Sequence, residues 1–319
     1  MDTVGIVGPG PRFGALSQLL DRGDTEVKWT DLDGGESVDE PPAGTAERID
    51  PEALKRIHLV FVCVPLHRMT NAARRIGEYL SGRHVLVHLG RTLVRDSLEP
   101  ISELLTRETP TRRVGFVSGP MCSSDVEAGR GGAAVCASAF PEVIDMVDGA
   151  LSSDSFRIYR NADVVGAEAA ATYTRVIALV GGMASELDLG RSATATLFAR
   201  GLAETARFVE DFGGEERTTF GLAGAGNLHA DTAGGGSIDF RIGRRLAECG
   251  GDVEAVRDGL EPVESEMFDL LEALAPHSDT VEGDDFPISS AAADIVFGET
   301  SLAGAVARLM SHPRERDRA

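Results

Sequence analysis

An α/β fold built on a doubly wound parallel sheet, followed by a mainly α-helical second half, is predicted by three features of the sequence. A short apolar run, Thr3 to Val7, enters a glycine-proline loop and then an amphipathic helix. Three later apolar runs of strand length are separated by helical stretches, the alternation that gives a parallel sheet. After about residue 160 the short runs give way to long helical stretches parted by Gly-rich turns. The 319 residues exceed one ordinary core and divide into two domains, 1–160 and 161–319.

The first strand, Thr3-Val4-Gly5-Ile6-Val7, leads into Gly8-Pro9-Gly10-Pro11-Arg12-Phe13-Gly14, and Ala15 to Leu20 begins a helix. In that order glycines admit a pyrophosphate against the backbone, and amides at the helix N-terminus meet its charge. Gly8, Gly10, Pro11, Arg12, Phe13 and Gly14 are therefore expected to hold a dinucleotide. Their spacing is one residue longer than the commonest form of this loop, so the surrounding strands carry part of the argument. The second strand, Glu26 to Asp31, ends on an acid 23 residues after Gly8. An acid there accepts the ribose 2′-hydroxyl and repels a 2′-phosphate, so Asp31 favours NAD over NADP; the competing role, with Asp33 nearby, is a turn cap.

The run His58 to Pro65 is apolar in the manner of a strand buried on both faces. Pro65 stops it where the cofactor should pass, which adds Val64 and Pro65 to the expected binding residues. His84 to Leu89, ending at Gly90-Arg91, and Val114 to Ser118, ending at Gly119-Pro120, complete a Rossmann sheet. Ala167 to Leu187 and Ser192 to Phe212 are the long helices of the second half.

A formal charge of −20, with only Lys28 and Lys55 as lysines among 31 basic residues, argues against nucleic acid, whose phosphates need clustered cations. Such a balance fits a saline cytoplasm or a genome rich in arginine codons. No apolar window approaches the roughly 18 to 20 residues of a membrane span, and the N-terminus resembles no secretion signal. A soluble cytoplasmic protein is expected. Cys63, Cys122, Cys136 and Cys249 lie far apart, so neither a disulfide nor a metal site is expected.

Three further segments carry a family resemblance. Ser118-Gly119-Pro120 with Asp125-Val126-Glu127-Ala128-Gly129 resembles SGPxFAxEVxxG. Ala193 to Glu204 resembles NAxAALxTRGLAE, and Thr219 to Leu228 resembles TFxGLAGLGDL. Together they resemble the NAD(P)-dependent glycerol-3-phosphate dehydrogenases, within the 6-phosphogluconate dehydrogenase-like superfamily, along nearly the whole chain. The resemblance implies a helical half that closes over the nicotinamide, hydride transfer with a substrate carbon, a side chain that handles the proton, and long helices that pair in a homodimer.

Four positions depart from the family's pattern. Its catalytic lysine, in GxExxGALKNV, falls on Thr174 in Gly166 to Val176. Its GLGDL aspartate is Asn227, and its SRN phosphate grip reads Ser237-Ile238-Asp239. The lysine expected after the fifth strand is missing from His88-Leu89-Gly90-Arg91. Threonine is uncharged and a very poor acid, and Ile238 with Asp239 would disfavour a phosphodianion. The expected activity is thus an NAD-dependent oxidoreductase acting on a small carbonyl or imine other than dihydroxyacetone phosphate. Glu168, Thr174, Arg175, Asn227, His229 and Asp231 are the candidate catalytic residues, with Tyr173 and His88 nearby in the motifs. Each has a plainer role available: strand-end histidines bond backbone, and helix arginines face solvent. Two alternatives are an authentic glycerol-3-phosphate dehydrogenase in which Arg175, Arg241 or Arg245 replaces the lost cations, and a non-catalytic NAD-binding protein.

Overall fold

A computed structural model describes residues 3–10, 12–22, 25–32, 46–95, 97–233, 236–280 and 286–311. Pro11, Asp33 and the Gly234-Gly235 pair lie outside the described residues. The chain falls into two units, residues 1–172 with 208–227, and residues 173–207 with 228–319.

The first unit is a sheet covered by helices. Its strands are β1 (Thr3–Val7), β2 (Glu26–Thr30), β3 (Glu47–Arg48), β4 (Leu59–Val62), β5 (Val85–His88), β8 (Arg113–Ser118), β9 (Gly132–Ala137) and β10 (Phe156–Asn161), while β6 (Leu93–Val94) and β7 (Glu99–Pro100) form a separate small ribbon. The sheet order is β10-β9-β8-β5-β4-β1-β2-β3, so the winding direction reverses at β1. All pairings are parallel except β8 with β9, where Phe116 faces Ala137. The crevice beyond the carboxyl ends of β1 and β4 is the switch point at which open α/β sheets take ligands.

Period-two alternation sorts the side chains to the two faces. Val4, Ile6, Leu59 and Phe61 pack with Phe13, Leu16 and Leu20 of α1 (Phe13–Asp21) and with Val143 and Val147 of α5 (Pro141–Leu151). Val7, Val60 and Val62 pack with Met69 and Ile76 of α2 (Leu66–Gly77) and with Leu104 and Leu105 of α3 (Ile101–Glu108). The short helix α4 (Ser123–Glu127) follows β8.

Two long helices, α6 (Val164–Glu186) and α7 (Gly190–Asp211), contribute to both units. The most apolar stretch of α6 would suit a membrane by composition, but 89% of it is buried within the protein, which marks a core helix. The second unit is helical: to the later part of α6 and the earlier part of α7 it adds α8 (Asn227–Thr232, from Leu228), α9 (Ile238–Glu248), α10 (Val253–Arg257), α11 (Pro262–Thr280), α12 (Pro287–Val296) and α13 (Leu302–Ser311). α6 and α9 touch backbone to backbone, because a Cβ on Gly182 would lie 2.0 Å from Phe240 O and one on Gly243 would lie 1.9 Å from Leu179 O.

Candidate functional site

The loop after β1 is shaped by its glycines. Gly8 has φ +92, donates its amide to Thr30 O at 2.9 Å, and has no room for a side chain, since a Cβ would meet Cys63 O at 2.7 Å. At Gly10 a Cβ would come within 2.2 Å of the same carbonyl and 2.9 Å of Pro65 Cδ. Thus Val64 and Pro65, which follow β4, are set against the loop. Arg12 adopts the left-handed conformation, φ 72, at the start of α1 and sends Nη1 toward Leu89 O at 3.4 Å. The N-cap residue Arg12 makes no side-chain capping bond to the first turn of α1, and Phe13 packs against Trp29 with ring centroids 5.6 Å apart. Glycines pressed on backbone, a helix start without a side-chain cap from Arg12 and an acid at the end of β2 form a cradle that fits a dinucleotide. That acid, Asp31, is bound by Arg68 Nη2 at 3.0 Å. Arg68 is absent from the sequence expectations; its signal is a cation in the first turn of the helix that follows Pro65.

Glu168 and Asn227 belong to the first unit. Glu168 is buried on α6, accepts the Ser102 amide at 3.1 Å and the Ser102 hydroxyl, and lies 3.2 Å from His88 Nε2. His88, at the end of β5, is fully buried and stacks on Phe116 at 4.8 Å. The carboxylate therefore ties α6 to the start of α3 and lies beside the end of β5. Asn227 Nδ2 donates to Ser118 Oγ and to Ala223 O, each at 2.9 Å, after a single π-helical turn over Leu222–Gly226. This contact joins the SGP segment to the GAGNL segment, 109 residues apart.

Thr174, Arg175, His229 and Asp231 belong to the second unit. Thr174 is fully buried. Arg175 donates from Nε and Nη2 to the two carboxylate oxygens of Asp239, at 2.9 and 3.0 Å. Burial opposes the guanidinium charge, yet Asp239, with Glu266 and Asp231 beyond it, holds the pKa above the ordinary arginine value. Asp239, counted from sequence as an added repulsive charge, is thus a partner of Arg175. His229 is exposed on α8, and Asp231, two residues further along and so on the other face of that helix, is buried. Ser237 caps α9, accepting the Phe240 amide at 3.3 Å. Tyr173 is buried: its hydroxyl donates to Glu204 at 2.7 Å and meets Ser289 Oγ at 2.8 Å.

Comparison with known proteins agrees with this geometry. The model of the NAD-dependent glycerol-3-phosphate dehydrogenase N-terminus matches residues 45–143, and that of the C-terminus matches 163–307. The glycerol-3-phosphate dehydrogenase [NAD(P)+] of Sinorhizobium fredii is 31% identical over 272 residues, covering 85% of this chain and 80% of the relative. That of Rhizobium etli is 29% identical over 266 residues, covering 83% and 79%. A crystal structure of glycerol-3-phosphate dehydrogenase from Coxiella burnetii has the same fold, with a TM-score of 0.85 at 23% identity over 97% of this chain and 99% of its own. With the two family models matched in order along the chain, and a relative 31% identical over most of its length, the chain belongs to the NAD-dependent glycerol-3-phosphate dehydrogenase family.

Proposed function

We propose that this protein is an NAD(P)-dependent oxidoreductase that moves hydride to or from a small carbonyl or imine substrate other than dihydroxyacetone phosphate. The observation that carries this reading is the Arg175–Asp239 ion pair. At the positions of the family's phosphate grip a phosphodianion would meet Ile238 and a carboxylate already bonded to the chain's own guanidinium. Each charge-assisted hydrogen bond so forgone is worth about 1.5–3 kcal/mol. Thr174 supplies neither charge nor an exchangeable acid near neutral pH.

A bound nicotinamide supplies the hydride chemistry. The chain's part is to hold it along Gly8, Gly10, Pro11, Arg12, Phe13 and Gly14 against Val64 and Pro65, with Asp31 taking the ribose hydroxyls. Substrate orientation and proton handling are assigned among Glu168, Thr174, Arg175, Asn227, His229 and Asp231. Glu168 and Arg175 are held by Ser102 and Asp239, which suits them to positioning, whereas His229 is exposed to solvent. Cytoplasmic residence and pairing of the Ala- and Leu-rich helices as a homodimer belong to the same reading; light scattering at a single-chain mass of 33.7 kDa would refute the dimer.

A second reading, an authentic glycerol-3-phosphate dehydrogenase, is favoured by the names of the relatives. Oxidation of NADH and NADPH by the purified protein should be followed with dihydroxyacetone phosphate and with a panel of unphosphorylated keto acids, aldehydes and imines. Turnover of an unphosphorylated compound above that of dihydroxyacetone phosphate is the expected result. The reverse order would establish the second reading, and tight cofactor binding without turnover would mark a non-catalytic binder.

A further inference from the structure

We propose that Arg68 is the specificity-determining residue of the ribose subsite and opens it to NADPH as well as NADH. This rests on the reading of the Gly8–Gly14 loop as a dinucleotide cradle. An acid at the end of β2 would by itself exclude NADPH, because a 2′-phosphate brought beside Asp31 meets a like charge within a few ångströms. Asp31 does not stand by itself. Arg68, from the first turn of α2 and 37 residues along the chain, places Nη2 3.0 Å from Asp31 Oδ1. The subsite is therefore a carboxylate and a guanidinium of opposite sign, not a lone acid.

The two partners differ in exposure. The Asp31 side chain is 4% exposed, at the end of a strand whose neighbour Thr30 accepts the Gly8 amide; the Arg68 side chain is 24% exposed on a flexible stem. With a ribose diol in place, the fixed carboxylate accepts its hydroxyls and Arg68 remains its partner. With a 2′-phosphate in place, the guanidinium can turn to the phosphate and donate in the bidentate manner that suits it, offsetting the repulsion from Asp31. Arg68 thus has little to offer the diol and much to offer the phosphate, and its removal should separate the two cofactors.

Trp29 is the only tryptophan and lies two residues before Asp31, so quenching of its emission reads cofactor binding without turnover. The unmodified protein should bind NADPH within about tenfold of NADH. Arg68→Ala should weaken NADPH by about tenfold or more, the value of one charged hydrogen bond, and change NADH by less than about threefold. Arg68→Lys, which keeps the charge and loses the fork, should fall between the unmodified protein and Arg68→Ala for NADPH. Asp31→Ala should weaken NADH and leave NADPH equal or tighter. If Arg68→Ala lowers both cofactors equally, or leaves NADPH unchanged, the assignment of Arg68 is overturned while the cradle stands. If the unmodified protein binds neither cofactor, the cradle reading falls, and the assignment with it.

Discussion

Arg175 and Asp239 lie 64 residues apart, and each sits beside a substituted family position: Arg175 follows Thr174, and Asp239 follows Ile238. Two charges so buried, with side chains 11% and 8% exposed, are tolerable only as a pair. Arg175→Met should leave the Asp239 carboxylate without its guanidinium and lower stability by about 3–5 kcal/mol. Replacing both, Arg175→Met with Asp239→Leu, should recover most of that, because a matched apolar pair of similar volume carries no uncompensated charge. Urea unfolding of the three variants checks this, and a cost below about 1 kcal/mol for Arg175→Met would refute it. The same residues mark where sequence reading stops. The turn at Gly8 and Gly10 and the place of Asp31 directly after β2 are legible because they are local, set by spacing from one strand to the next. The ion pair was not, since Arg175 looked like a surface helix residue and Asp239 like a stray negative charge, and only tertiary packing brings them together. The Arg68–Asp31 contact, across 37 residues, is hidden for the same reason.

At the scale of elements, buried runs and turn residues announced β1, β2, β4, β5 and β8 and the two long helices within a few residues of their observed ends. β9, whose sequence Gly132-Ala133-Ala134-Val135-Cys136-Ala137 is mostly small residues after a Gly-rich turn, has no alternation to reveal it, and its antiparallel pairing with β8 follows from connections that sequence does not show. Helix junctions are similarly hidden. Glu204, on α7, receives the amides of Ile288 and Ser289 at 3.1 and 3.0 Å and so caps α12 from 84 residues away. Burial pushes its pKa up to about 7 against the hydrogen bonds from Tyr173 and the two amides and the charge of Arg207. Between the ordinary value of 4.5 and about 7 the folded protein holds a proton that the unfolded chain has released, so stability falls as pH rises through that window and levels off above it. Glu204→Gln, an uncharged near-isostere, should remove up to about 3 kcal/mol of that pH dependence. Unfolding free energies from pH 4.5 to 8 for both proteins test it; parallel curves would sink the argument. The α6–α9 crossing makes a second element-scale prediction. Gly243→Ala must force a methyl group into the Leu179 carbonyl and should cost about 1–3 kcal/mol or more by denaturant unfolding, with no loss at all contradicting the close approach.

Across the whole molecule the dominant physical fact is charge. Fifty-one acidic residues against 31 basic ones leave a net −20 on 33.7 kDa, and at about 0.1 M ionic strength this excess repels itself over distances near 10 Å, further in less salt. Self-repulsion destabilises the compact state, since unfolding spreads the charges apart. Salt shortens the screening length to about 3 Å at 1 M and should relieve it. Two kinds of ion pair respond differently. Exposed ones, such as Arg130–Asp125 at 62% and 47% side-chain exposure, contribute at most about 1 kcal/mol each and lose it to screening. Buried ones, such as Arg175–Asp239, are shielded from salt by the protein around them. With a net −20, the repulsion is expected to outweigh what the surface pairs give up, so the unfolding midpoint should rise steadily between about 0.05 and 1 M sodium chloride. The rise should be strongest at the low end, where screening changes most. Potassium chloride should act alike, because screening depends on ionic strength and not on the cation. A thermal midpoint that falls with either salt would show that the surface pairs, not the excess negative charge, govern the electrostatics of this fold.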